Sequence, residues 1–150
     1  MPKDLQKAHD EAAQLNMVLQ SEKRDALIAQ TADRLGPLCW QFKGLSIFPA
    51  RSQAELVAEG QSLHHCVGRA GYGEKMAAGT TAIFFIRKVR EMEKPYVTLE
   101  LDLARGKVIQ CYADHDSYPG ARVKAFTERW ERERVLPGLT QTCRREKQTA

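Results

Sequence analysis

The chain predicts an α+β domain, a mostly antiparallel sheet of about five strands with a long N-terminal helix and a C-terminal helix packed on it. Three observations carry this. Between residues 3 and 34, apolar residues recur at helical spacing among charges. The middle of the chain holds short β-branched and aromatic runs separated by glycine and proline turns. Beyond residue 120 a second helical stripe follows, Val123, Phe126 and Trp130.

A length of 150 residues fits one domain able to bury a core, and an apolar fraction of 43% is that of a globular protein. The cysteines Cys39, Cys66, Cys111 and Cys143 form no C-x-x-C pair, which argues against a disulfide framework and suits a reducing compartment. No apolar run approaches the ~20 residues that span a bilayer, and Met1-Pro2-Lys3-Asp4 does not open a signal peptide. A cytoplasmic protein without a membrane partner is expected. The net charge of +4 is spread through mixed segments; it permits a nucleic-acid partner without demanding one.

The elements follow in order. Leu5, Ala8, Ala12, Leu15, Leu19, Ala26, Ala29 and Ala32 draw one stripe along a long helix, or two in series, from Lys3 to Arg34. Gly36-Pro37 is expected to end it with a left-handed glycine cap. Leu38–Phe42 and Leu45–Phe48 read as a hairpin turning at Lys43-Gly44, with Cys39 a small core residue. Ser52 and Glu55 have capping-box spacing, so a short helix is expected from Gln53 to Glu59, stopped by Gly60.

Leu63-His64-His65-Cys66-Val67-Gly68 then concentrates three chemically active side chains ahead of the most apolar segment, Thr80–Arg87. A one- or two-turn helix over Glu74–Ala77 separates them, closed by Gly79. Tyr96–Leu101 alternates, with Val97, Leu99 and Leu101 on one face and Tyr96, Thr98 and Glu100 on the other. A three-residue loop Ala104-Arg105-Gly106 would set Leu101 opposite Ile109, Leu99 opposite Cys111 and Glu100 opposite Gln110. A polar loop over residues 112–120 leads to the last helix, Ala121–Val135, which Pro137-Gly138 should end.

This combination resembles the PcfJ-like family. Pro2–Asp10, Glu59-Gly60, Leu63–Gly68, Ile83–Arg87, Pro95–Glu100 and Val108–Cys111 are similar to its conserved C-terminal region, across roughly Pro2 to Arg134. The resemblance implies an origin on conjugative plasmids, phages or other mobile genetic elements, and it implies no particular activity. Tyr112–Asp116 and Arg69-Ala70-Gly71 depart from the family pattern. The expected organisation is a helical segment 1–36 forming one domain with a PcfJ-like core 37–137, followed by a flexible basic tail 138–150.

In an extended segment His64 and Cys66 would share one face and His65 the other, so either Cys66 is buried and His65 meets the polar layer of Arg87, Glu100 and Gln110, or His64 and Cys66 are the wet pair. Since the family core carries the second histidine, His65 is assigned to a polar layer, with Cys66 packed beneath it. His65, Tyr72, Arg87, Lys88, Glu100 and Gln110 are then the candidates for binding nucleic acid or a nucleotide. The alternative is a hydrolase or transferase in which Cys66 is the nucleophile, His65 its base and Glu100 an orienting group. A third reading makes the N-terminal helix a docking surface for a protein partner, acting as an interaction or inhibitory module. No cofactor is expected, although Cys111 and His115 with His65 or Cys66 could supply a zinc set. No glycine fingerprint for phosphate or nicotinamide binding occurs.

Overall fold

The computed structural model describes residues 2–68 and 71–139. Helix α1 (Pro2–Arg34) divides in two. Ile28 and Ala32 are fully buried, whereas the side chains of residues 5–20 all face solvent, Leu5, Leu15 and Leu19 among them. Length explains the split, because a helix of 33 residues spans roughly 50 Å, well beyond the sheet it packs on.

The helix ends without the expected left-handed glycine. Gly36 is absent from the positive-φ residues, and a 3₁₀ turn, Gly36–Leu38, finishes the chain reversal through Leu38 N–H to the Leu35 carbonyl at 2.9 Å. Strands β1 (Trp40–Phe42) and β2 (Leu45–Pro49) form the hairpin, with Lys43 (φ +49°) and Gly44 (φ +81°) both left-handed, as a two-residue primed turn requires. Cys39 falls before the strand and is exposed, not in the core as expected.

Helix α2 (Gln53–Leu63) is capped by Ser52, whose Oγ accepts from Glu55 N–H at 3.2 Å. The Glu55 carboxylate accepts from Arg51 N–H instead of Ser52, so the cap is not the reciprocal pair. After α3 (Tyr72–Ala77) come β3 (Thr81–Lys88), β4 (Val97–Asp102) and β5 (Lys107–Tyr112). All five strands lie in one antiparallel sheet in chain order.

Leu99 pairs with Cys111 and Glu100 with Gln110 as expected, but a bulge between Glu100 and Leu101 shifts the ladder so that Leu101 meets Val108. Ile109 is the extra residue and is turned to solvent. The loop closes over residues 103–106, one longer than expected, with Gly106 left-handed at φ +67°.

Helix α4 (Ala121–Trp130) covers the apolar face of the sheet. Trp130 packs edge-on against Phe84, with ring centroids 5.0 Å apart, and its indole N–H donates to the Leu38 carbonyl at 2.7 Å. Phe126 packs on Trp40 at 5.3 Å. A π-helical turn, Glu131–Val135, follows, and residues 136–139 remain helical, past the expected stop at Pro137-Gly138. Proline has no N–H for an i→i−4 bond, and the widened turn lies directly before it. Most of the expected tail, residues 140–150, lies outside the described residues.

The opposite face of the sheet carries the polar side chains. It is roofed by α2, α3 and the buried half of α1, which Thr31 ties to α3 by donating to the Met76 carbonyl at 2.8 Å. No helix among the described residues is long and apolar enough to cross a membrane.

Candidate functional site

The site is built where α2 runs out. Gly60 does not stop the helix; it lies inside it, buried, with the following loop folded closely back over it. A Cβ at Gly60 would stand 2.9 Å from the His65 carbonyl oxygen and 3.2 Å from Gly68 N. One at Gly68 would stand 2.7 Å from Val57 Cα. These glycines let the loop close on the helix, as little else could.

His64 ends the helix in the left-handed region (φ +52°, ψ +47°), and His65 N–H reaches back to the Gly60 carbonyl at 3.0 Å. The chain therefore turns here and is not extended, which alters the expected geometry of the motif. His65 Nε2 lies 2.9 Å from Thr98 Oγ1, and its Nδ1 accepts from Val67 N–H at 3.4 Å. An Nδ1 that accepts leaves the proton on Nε2, so the neutral ring donates to Thr98. Cys66 is exposed, not packed beneath the histidine.

Glu100 lies almost wholly buried on the sheet face, 3% exposed. Its carboxylate accepts from Thr81 Oγ1 at 3.0 Å and from Gln110 Nε2 at 2.8 Å. The same Gln110 amide donates to the Tyr72 hydroxyl at 2.9 Å. His65, Tyr72, Glu100 and Gln110 together line a cavity of about 320 Å³, which Cys66 and Tyr112 also border.

Arg87 and Lys88 stand apart from it. The Arg87 guanidinium grips Glu59 with two bonds of 2.6 Å, both groups buried, and lies over the rings of Phe85 and Phe48 at 5.0 and 5.8 Å. Arg87 thus serves the joint between α2 and the sheet, contrary to its expected place in the polar cluster. Lys88 lies over the Tyr96 ring at 4.7 Å, towards the far end of β3, and does not line the cavity. The reason is strand length: Arg87 shares a sheet face with Thr81 and Ile83 but is several residues further along.

The alternative zinc set, Cys111 and His115 with His65 or Cys66, is not assembled among the described residues. Cys111 is partly buried on the apolar face, and burial pushes its thiol up to about 12. His115 instead meets His64 and Asp114 in a surface cluster, the one group of potential metal ligands among the described residues. The His64 hydrogen bond, with the nearby His115, holds the Asp114 carboxyl below its usual range.

Three contributors escape a reading by motif. Thr98 was legible from strand alternation with Glu100. Glu59 lies at helical spacing between the buried Leu56 and Leu63, where a carboxylate demands a cation. Asp116, which borders the cavity from the loop after β5, sits at φ +56° and left no periodic signal.

A sheet meander roofed by helices, with a His-Cys motif turned onto a polar strand face, defines the class. The chain belongs to the PcfJ-like protein family, whose model matches residues 1–124. It is also 28% identical over 130 residues to the uncharacterized protein Lin1253/Lin1744 of Listeria innocua. That match covers 87% of this chain and 28% of the Listeria protein, so the chain spans about a quarter of its relative's length. No solved structure matches the chain.

Proposed function

We propose that the cavity between the α2–α3 connection and β4–β5 binds the base and sugar of a nucleotide, free or within a nucleic-acid strand. The observation that carries this is the linked set Glu100–Gln110–Tyr72 on the wall of a cavity of about 320 Å³. Such a volume suits one small ligand, and amide, phenol and imidazole groups suit base edges and hydroxyls. The ring of Tyr112, 39% exposed at the border, is available for stacking. With Arg87 committed to Glu59 and Glu100 in the wall, the chemistry favours base and ribose over phosphate. The role suits the mobile-element origin that the family resemblance implies, and a cytoplasmic setting in which the widely spaced cysteines stay reduced.

The test is binding of nucleosides, mononucleotides and short single-stranded DNA and RNA to the full chain across a salt series. Binding should weaken by roughly tenfold in Gln110→Ala, a loss of about 1.4 kcal/mol. Its salt dependence should be shallow, since few phosphates are neutralised. Absence of binding at low salt overturns the proposal.

Two other readings stand on narrower observations. Cys66 is exposed and borders the cavity, as a nucleophile must be. However, His65 has both ring nitrogens engaged, and among the described residues no hydrogen bond reaches the Cys66 sulfur. Activation as in a nucleophile–base pair therefore has no support in this geometry. The exposed apolar residues of α1 favour a docking surface for a protein partner, in addition to the cavity.

A further inference from the structure

We propose that His64, Asp114 and His115 form a binding site for a divalent first-row transition cation, with zinc as the type case, that pins the loop after β5 to the end of α2. This inference is independent of the nucleotide reading. It rests on convergence: His64 comes from the C-terminus of α2, and Asp114 and His115 from a 3₁₀ turn, Asp114–Asp116, some fifty residues later.

Both imidazoles aim the same atom at the same oxygen. Nδ1 of His64 lies 2.9 Å from Asp114 Oδ1, and Nδ1 of His115 lies 3.0 Å from it. The rings stack nearly parallel, with centroids 4.3 Å apart at 13°. One ligand atom from each of the three residues falls within 4.8 Å of the others. Ligands held ~2.0–2.2 Å from a common ion stand a little over 3 Å apart, so a small outward movement of exposed side chains makes room for one. Two imidazoles and one carboxylate are the donor set that such cations take, with the remaining positions left to water.

The backbone adds a second observation. His64 at φ +52° and His115 at φ +55° both occupy the left-handed region, uncommon for residues other than glycine. In that conformation each element presents its histidine ring to the other. Strain of this kind at paired side chains points to a site.

The experiment uses the full chain and metal alone. Co²⁺ is added and followed by its visible absorption, then competed with Zn²⁺, while thermal unfolding is monitored in parallel. His64→Gly and His115→Asn remove the imidazoles with residues that tolerate left-handed backbone, and Cys66→Ser is the control. One equivalent should bind without a thiolate charge-transfer band, and affinity should fall by at least about tenfold in either histidine variant while Cys66→Ser matches wild type. Zn²⁺ should raise the unfolding temperature of wild type and of Cys66→Ser but not that of either histidine variant. No binding, or binding that the histidine variants leave unchanged, overturns the proposal. Loss of binding in Cys66→Ser would equally overturn it, because it would assign the ion to a different ligand set.

Discussion

Arg87 shows how far a residue's role depends on what comes to meet it. As an arginine in the family-like strand Ile83–Arg87 it reads as a phosphate contact, yet it spends its fork on Glu59 with two bonds of 2.6 Å in a buried joint. Fork-to-carboxylate pairing of this kind is geometrically specific, and breaking one partner leaves a buried charge uncompensated. Glu59→Gln is therefore expected to destabilise the fold by about 3–5 kcal/mol, measured by urea unfolding, and to lower stability whether or not ligand is present. A loss under about 1 kcal/mol would mean that Arg87 finds another partner or water. His65 is the contrasting case: the family resemblance assigned it to the polar layer, and its ring does meet Thr98 there, but through the left-handed turn at His64 and not along an extended segment.

At the level of elements, the decisive unit is the end of α2 and the loop that folds over it. A glycine between two polar residues reads as a helix stop, but Gly60 is needed where the loop passes close, with the His65 carbonyl and Gly68 N crowding the place of a Cβ. Gly60→Ala should gain helix propensity of about 1 kcal/mol and lose more through the clash with backbone atoms. The expected outcome is net destabilisation together with movement of the His65 ring signals in an NMR spectrum. A variant as stable as wild type, with unchanged His65 resonances, would show that the loop yields easily. The bulge between Glu100 and Leu101 makes the same point in the sheet. A three-residue loop predicted Glu100 opposite Gln110; the loop is one residue longer, and the extra residue Ile109, absorbed by a local defect that no spacing in β4 or β5 announces, restores that pair.

Over the whole molecule, the unbalanced feature is α1. Its second half completes the roof of the polar face through Ile28, Thr31 and Ala32, while Leu5, Leu15, Met17, Val18 and Leu19 are between 48% and 69% exposed. Apolar side chains at helical spacing that no described residue covers are what a partner helix packs upon. If this half docks a protein partner, a tagged chain should retain that partner in pull-down from cells of its own host, and Leu15→Glu with Leu19→Glu should abolish retention. Unfolding of the purified chain should be nearly unaffected by those changes, since surface substitutions cost within about 0.5 kcal/mol. Retention undiminished by both charges would place docking elsewhere.

The sequence alone determined the α+β class, the order of the elements and the hairpin at Lys43-Gly44, because each of these follows from local periodicity or turn chemistry; the pairing of Glu100 with Gln110 was expected through a loop one residue shorter, and the bulge restores it. It also singled out the His-Cys motif. Tertiary structure alone decided what that motif does in space: that His65 faces Thr98, that Cys66 is exposed, that Arg87 belongs to Glu59, and that His64 meets Asp114 and His115. The physical reason is that these outcomes depend on one left-handed residue, one close glycine contact and contacts between segments distant in the chain, none of which repeats along it.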